Sequence, residues 1–256
     1  MKISAVTFNL QNGQSWEDEN PDCSTIDFPA SVEFLRSLDA DVYFLQEVER
    51  GFDGGAQIHP PPNFSLLQAG FPDYDSAFTY PPKNPDELPF GIGLAILSRW
   101  PLQIQGSHVL PASDLEFEFD GRQRRPSERS ILRASIQIGE QALQLVNTHL
   151  QAYFMIGSTS LEYPEQRNHI EALVRALGAA TLLGGDFNSS PEDDLATQLE
   201  AAGYCSAQTE VPTWKRRPYV VDHLFYGAAL KVESCEVIET ATSDHHAVRA
   251  VFDFAE

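Results

Sequence analysis

Apolar runs of strand length recur along the chain, at residues 2–9, 42–46, 92–98, 130–138, 142–149, 180–186, 220–226, 232–239 and 247–253. Several are bounded by Gly or Pro, as strands usually are. Helical patterns are fewer. Over 165–177, Ile170, Leu173, Val174 and Leu177 fall at i, i+3, i+4 and i+7, one face of a helix. In "SSPEDDLATQLEAAGY", Ser190 reads as an N-cap, Pro191 as the first helical residue, Asp193 as a capping-box acid and Gly203 as the stop. Another helix is expected at 28–38. The stretches "HPPPN", "YPPKNPDELP" and "DGRQRRPSER" read as loops. Many strands, few helices and no regular βαβ rhythm predict stacked sheets with outer helices.

Composition narrows this to one large domain over residues 1–256, since 42% of the chain is hydrophobic and no linker-like tract interrupts it. No run approaches the roughly 18 apolar residues that span a bilayer, and "MKISAVTFNL" alternates like a strand, without the apolar core of a signal peptide. The three cysteines, Cys23, Cys205 and Cys235, are far apart and read as reduced thiols, so the expected location is the cytoplasm. The formal net charge is -20, which argues against a high-affinity, non-specific nucleic-acid binder. It leaves phosphate chemistry open, because a divalent metal inverts the local field.

Polar residues gather where the apolar runs stop. "LLGGDFNSSPED" ends a strand in two glycines, Asp186 and Asn188; residues two apart on extended chain share a face. The glycines allow backbone or ligand to come close. "LQLVNTHLQAY" places Asn147 and His149 on one face, "DVYFLQEVE" ends in Gln46 and Glu47, and "VTFNLQNG" carries Asn9 and then Asn12. In "YVVDHLFY", Asp222 lies within an apolar strand and needs a donor or cation, for which the histidines of "TSDHHAV" are candidates. Each element alone is equally a capped turn or a hydrogen-bonded core residue. Carboxylates without cysteine ligands suit a hard ion such as Mg²⁺ or Mn²⁺.

Taken in order, "TFNLQNG", "LQEVE", "LSRWPL", "NTHL", "GGDFN", "VDHLFY" and "SDHHAV" resemble the motifs of the endonuclease/exonuclease/phosphatase superfamily from residue 6 to about 253. The resemblance implies an α/β, four-layer αββα sandwich of two packed mixed β-sheets, with the site at one rim. It implies a hydrolase dependent on Mg²⁺, with Mn²⁺ as substitute. Glu47 would be the principal metal ligand, with Asn9 nearby and Asp244 completing the metal environment. Asp186 would position or deprotonate the attacking water. Asn188 and His149 would hold the scissile phosphate, and His245, oriented by Asp222, would contact a phosphate oxygen. His246 points to the opposite face and is assigned a structural role, while Ser243 positions the turn.

The expected partner is a phosphoester substrate, and the expected form a monomer without membrane insertion. A small molecule, lipid headgroup or nucleic-acid end fits the net charge better than long duplex DNA. An abasic-site or tyrosyl-DNA type of repair enzyme is the alternative, and a non-catalytic binding protein on this fold a remote one. Abasic-site enzymes carry an acid where this chain has Gln11. Tyr153 is a candidate phosphate contact, or else a partly buried aromatic. Arg122, Arg124, Arg125 and Arg129, with Lys215, Arg216 and Arg217, hold seven of the seventeen basic residues in two loops. These are either solvated loops or a border of the site that steers an anionic substrate.

Overall fold

A computed structural model of the chain describes residues 2–21, 25–49, 58–81 and 93–255. In chain order it contains β1 (Lys2–Asn9), α1 (Phe28–Leu38), β2 (Val42–Gln46), α2 (Pro62–Gly70), β3 (Asp75–Thr79), β4 (Leu94–Ser98) and β5 (Gln103–Val109). The hairpin β6 (Phe117–Phe119) and β7 (Arg122–Arg124) follows, then the long pair β8 (Ser130–Ile138) and β9 (Gln141–His149). Next come α3 (Glu165–Leu177), β10 (Thr181–Asp186), α4 (Leu195–Ala201), β11 (Tyr204–Ser206), β12 (Asp222–Gly227), β13 (Leu230–Ile238) and β14 (Ala247–Phe254).

Twelve strands form two six-stranded sheets, ordered β13-β14-β1-β2-β4-β3 and β11-β12-β10-β9-β8-β5. Each sheet has one parallel pair, β1 with β2 in the first and β9 with β10 in the second. The other pairings within them are antiparallel. Strand alternation then sorts the apolar side chains into three cores. Ile3, Ala5, Val42, Phe44, Leu143, Leu145, Leu182 and Leu224 face into the space between the sheets. Val6, Phe8, Tyr43 and Leu45 face outward onto Phe28, Val32 and Leu35 of α1 and Leu67 of α2. On the other side, Val146, Leu183 and Phe225 pack against Ile170 and Val174 of α3 and Leu195 and Leu199 of α4. The result is the four-layer αββα sandwich.

One glycine sets the spacing of the two sheets, and its neighbour the packing of adjacent strands within one of them. A Cβ on Gly184 would lie 2.4 Å from Phe44 Cγ across the central core, and one on Gly185 would lie 2.4 Å from the Thr148 carbonyl oxygen. The close approach expected at "LLGG" is therefore made by protein, with Phe44 of the opposite sheet over Gly184. Nearer the rim, the same interface is polar. Gln46 Nε2 donates to Asn147 Oδ1 at 2.8 Å, and Asn147 Nδ2 donates to the carbonyls of Leu45 and Ala95 at 2.9 and 2.8 Å. Asn147 is thus a buried crosslink between the sheets.

Some expectations from the pattern are corrected. The helix after Pro191 begins later, at Leu195, with Asp194 as N-cap; Asp193 does accept from Ser190 N–H at 3.2 Å, as a capping-box acid would, but around a turn that precedes the helix. "HPPPN" is not wholly loop, because Pro62 opens α2, where its missing N–H has no helical partner to lose. "DGRQRRPSER" contains β7, paired with β6. Strands β3 and β5 carry no signal in the apolar pattern: both are sheet-edge strands rich in polar residues, β5 almost wholly exposed and β3 half-buried, so neither forms an apolar run. Most of "YPPKNPDELP" lies outside the described residues.

Candidate active site

The two parallel pairs end at the same rim, and the last inward-facing residue of each strand is polar. On β1 the inward positions run Ile3, Ala5, Thr7 and Asn9; on β10 they run Leu182, Gly184 and Asp186. His149 closes β9, and Asp222, opposite Asp186 in register, opens antiparallel β12 at the same end. Glu47 follows Gln46 of β2 in left-handed backbone, at φ 50°. The apolar interior therefore gives way to a polar rim by continuing the same alternation.

The side chains converge across the sheet interface. Asn9 Nδ2 donates to Glu47 Oε1 at 3.2 Å and to Asp186 Oδ2 at 3.0 Å, while Asn9 Oδ1 accepts from Gln11 N–H at 3.0 Å. His149 Nε2 lies 3.3 Å from the same Asp186 oxygen and 4.0 Å from Glu47 Oε1. His245 Nε2 lies 3.8 Å from Asp186 Oδ2 and 3.8 Å from Asp244 Oδ1. One carboxylate oxygen of Asp186 thus faces three nitrogens.

The two histidines are held differently. Arg129 Nη1 sits 3.0 Å from His149 Nδ1. A guanidinium only donates, so Nδ1 is the acceptor and the proton of neutral His149 resides on Nε2, toward Asp186. Burial, then the charges of Arg129 and His245, push the His149 pKa well below its ordinary value. His245 is the reverse. Burial alone would lower its pKa, but Asp222, whose Oδ2 meets Nδ1 at 2.8 Å, together with Asp244 and Asp186, raises it to about 10. His245 is an imidazolium at neutral pH and presents Nε2–H to the cleft. Burial, then the neighbouring Asp222 carboxylate, raises Asp186 above the usual carboxylate range. Glu47 is raised by burial and by the like charge of Asp244.

Asn188 reaches the site by a turn. Its φ is 45°, its N–H donates to Asp186 Oδ1 at 3.0 Å, and its Nδ2 donates to the Leu150 carbonyl at 3.0 Å. It does not continue the extended strand with Asp186, because the strand ends at Asp186. Gln11, Asn12, Glu47 and Asn188 account for four of the seven described non-glycine residues with positive φ, and all four line one cleft. Backbone strain of this kind clusters at functional sites. The cleft has a volume of about 450 Å³.

Tyr153 does not line it. That ring is buried and stacks on Tyr163, with centroids 5.4 Å apart and planes at 14°. Its place on the wall is taken by Ala152, Met155 and Ile156. His246 also lies outside the cleft, and Ser243 Oγ donates to the Asn9 carbonyl at 2.7 Å, tying the turn before β14 to β1.

Both basic loops contribute to the site. Arg129 and Arg216 line the cleft, and Arg216 Nε donates to Asp244 Oδ2 at 2.9 Å, beside Trp214 Nε1 at 3.2 Å. Trp214 and Gln151 also line it, and no motif signals them; their only hint is proximity to "NTHL" or to the basic loop. Gln11 Oε1 accepts the backbone N–H of Asp244 at 3.0 Å, so the residue where abasic-site enzymes have an acid here supports the turn that carries Asp244.

The model of the endonuclease/exonuclease/phosphatase family matches residues 6–245, a span that contains every rim residue. The chain belongs to this family. No curated protein sequence matches it. Among solved structures, a family member from Beutenbergia cavernae has a TM-score of 0.70 at 20% identity, covering 99% of this chain and 72% of that one. A mannosyl-6-phosphatase from Bacteroides thetaiotaomicron has a TM-score of 0.65 at 14% identity, covering 98% and 100%. A D. rerio TDP2 humanized by 14 mutations has a TM-score of 0.62 at 17% identity, covering 98% and 99%. At these identities the likeness is one of fold.

Hydrolases of this family generally depend on a divalent metal, and the site here has the donors for one. Among the described residues, Asp186, Asp222 and His245 bring ligating atoms within 4.8 Å of one another. That trio is already an ion-paired chain, and a doubly protonated His245 has no lone pair to give. Glu47 and Asp244 fit a cation better. They are two carboxylates close enough to repel, Glu47 is half-buried, and hard oxygen donors of this kind suit a hard ion.

Proposed function

We propose that the protein is a Mg²⁺-dependent phosphoesterase that hydrolyses a phosphoester by direct in-line attack of water. The observation that carries this reading is the convergence of three N–H donors, from Asn9, His149 and His245, on one oxygen of a carboxylate whose proton affinity is raised. Such a carboxylate is suited to accept a proton from water at neutral pH. The donors that face it are placed to bind phosphate oxygens and the charge that develops on them. His149 and Asn188 hold the scissile phosphate, Asn188 through the amide hydrogen not used by Leu150. His245 adds a full positive charge, oriented by Asp222. Glu47 and Asp244, with Asn9 alongside, would hold the ion, which when bound supplies electrophilic stabilisation of the phosphoryl group and leaving oxygen.

The preferred substrate is a small molecule, a lipid headgroup or a nucleic-acid end. The charge of -20 supports this over long duplex DNA. A panel with Mg²⁺, Mn²⁺ and EDTA arms tests it, spanning bis-p-nitrophenyl phosphate, inositol and sugar phosphates, sphingomyelin and abasic DNA. Hydrolysis should require the metal, and Asp186→Asn should lower kcat by roughly 10²–10⁴-fold. Rapid nicking of abasic DNA at low salt would replace the small-molecule reading by a repair nuclease. Unchanged turnover in the Asp186 variant would remove that residue from the mechanism.

A further inference from the structure

We infer that the cleft receives a phosphoester whose organic group is apolar, and that Met155 and Ile156 are the specificity surface for that group. This rests on the phosphoester hydrolysis proposed above and names the class of its substrate. The cleft has two unlike sides. One carries the charged and amide groups of the rim; the other is Ala152, Met155, Ile156 and the indole of Trp214.

Met155 and Ile156 of the apolar side come from a single short turn, Tyr153–Ile156, whose four side chains divide between anchoring and display. Tyr153 goes inward onto Tyr163. Phe154 packs on Trp214 at 5.6 Å and on Tyr219 at 5.5 Å between ring centroids. Gly157, at φ 73°, then turns the chain back, a conformation that costs glycine little. With two aromatic anchors in place, Met155 and Ile156 are left facing the cleft, and Met155 is 55% exposed. A lone exposed methionine is ordinary. This one is held beside Ile156 and Trp214, in the same cleft as Asp186 and His245.

Trp214 completes the surface. Its Nε1–H is satisfied by Asp244, so the indole has no polar demand left to make of a substrate, and the small exposed part of it adds apolar surface to the cleft. Methionine adapts its shape to the group packed against it. The cleft volume of about 450 Å³ lies within the range of small-molecule sites. A phosphoryl group at the rim therefore has an apolar wall within the same cavity against which its ester group is desolvated.

The test compares n-heptyl phosphate with 2-(2-methoxyethoxy)ethyl phosphate, equal in chain length and differing in two ether oxygens, each as mono- and diester. The wild-type enzyme with Mg²⁺ should favour the heptyl ester. Met155→Ser should lower kcat/KM for it about tenfold, mainly through KM, the effect of losing about two buried methylene-sized groups. The ether ester should change less than about twofold. Because Met155 is exposed, the variant keeps the stability of the parent, and its Tm checks this. Equal losses on both esters, or no loss on the heptyl ester, overturns the inference. So does a wild-type enzyme that cleaves other phosphoesters but neither of this pair. If no phosphoester in the broader panel is cleaved with any metal, the hydrolase reading itself fails. Sphingomyelin and phosphatidylglycerol vesicles at equal phosphoester concentration form a further arm. Faster, Met155-dependent cleavage there assigns the apolar group to lipid, and faster cleavage of monomeric heptyl ester assigns it to a soluble metabolite.

Discussion

Asp222 and Arg129 hold the two histidines of the cleft in opposite protonation states. His245 has its pKa raised to about 10, above the ordinary value near 6.5. Its contribution to stability is therefore fully present below about pH 6.5 and is lost as pH rises through 10. Asp222→Asn removes the largest influence that raises it, so in EDTA-treated protein the His245 titration should fall toward the ordinary histidine range. Imidazole ¹⁵N shifts follow this directly, and a midpoint still near 10 would assign the effect to Asp244 and Asp186 instead. His149, depressed by burial and by Arg129, should stay neutral across the same pH range with its proton on Nε2. Arg129→Gln, whose amide can donate or accept, should mix the two tautomers in those spectra and lower kcat more than it raises KM, since the lost feature is orientation of a donor. A variant with the parental His149 shifts would show that the tautomer is set elsewhere.

At the scale of elements, the fit between sheets is the sensitive quantity. Gly184→Ala puts a methyl where Phe44 already is, so we expect a loss of about 1–3 kcal/mol. At roughly 2–4 °C per kcal/mol for a chain of this size, Tm should fall visibly in thermal unfolding followed by circular dichroism. The legibility of the chain divides along the same lines. Strands buried on both faces, such as β2 and β10, announce themselves as apolar runs. Strands β3 and β5 do not, because they lie at sheet edges and are rich in polar residues, which β5 exposes and β3 holds half-buried. The start of α4 is hard to read because Ser190 and Asp193 make a capping-box bond around a separate turn, and Asp194 caps the helix itself. Rim residues such as Asn9 and Asp186 are legible because a polar side chain that ends a buried apolar strand must find a partner or a ligand there. Trp214, Gln151 and the wall at Met155 are not, since their placement depends on how two loops fold over the rim, and no periodicity records that. For Tyr153 the sequence leaves a phosphate contact and a buried aromatic open, and the short turn Tyr153–Ile156 selects the second by sending that ring inward onto Tyr163.

The molecule as a whole is strongly acidic, whereas in its cleft Arg129, Arg216 and a charged His245 stand against Glu47, Asp186 and Asp244. Long-range repulsion and short-range attraction then act on the same substrate. For a dianionic phosphomonoester, kcat/KM should rise as salt is added up to about 0.15 M, where the Debye length is about 8 Å and only the distant charges are screened. A steady fall over that range would mean that the cleft arginines dominate association even from afar. Among the described residues, no helix is long and apolar enough to cross a membrane. The hydrogen bond from Asn9 to Asp186 has a consequence for this whole body. Its donor belongs to one sheet and its acceptor to the other, and the same is true of the contact between Glu47 and His149. Neither half of the sandwich owns the polar cluster at the rim. On the proposed hydrolysis, turnover is a gauge of interlocking: a sandwich whose leaves are each intact but slightly parted would have every residue of the site and no site.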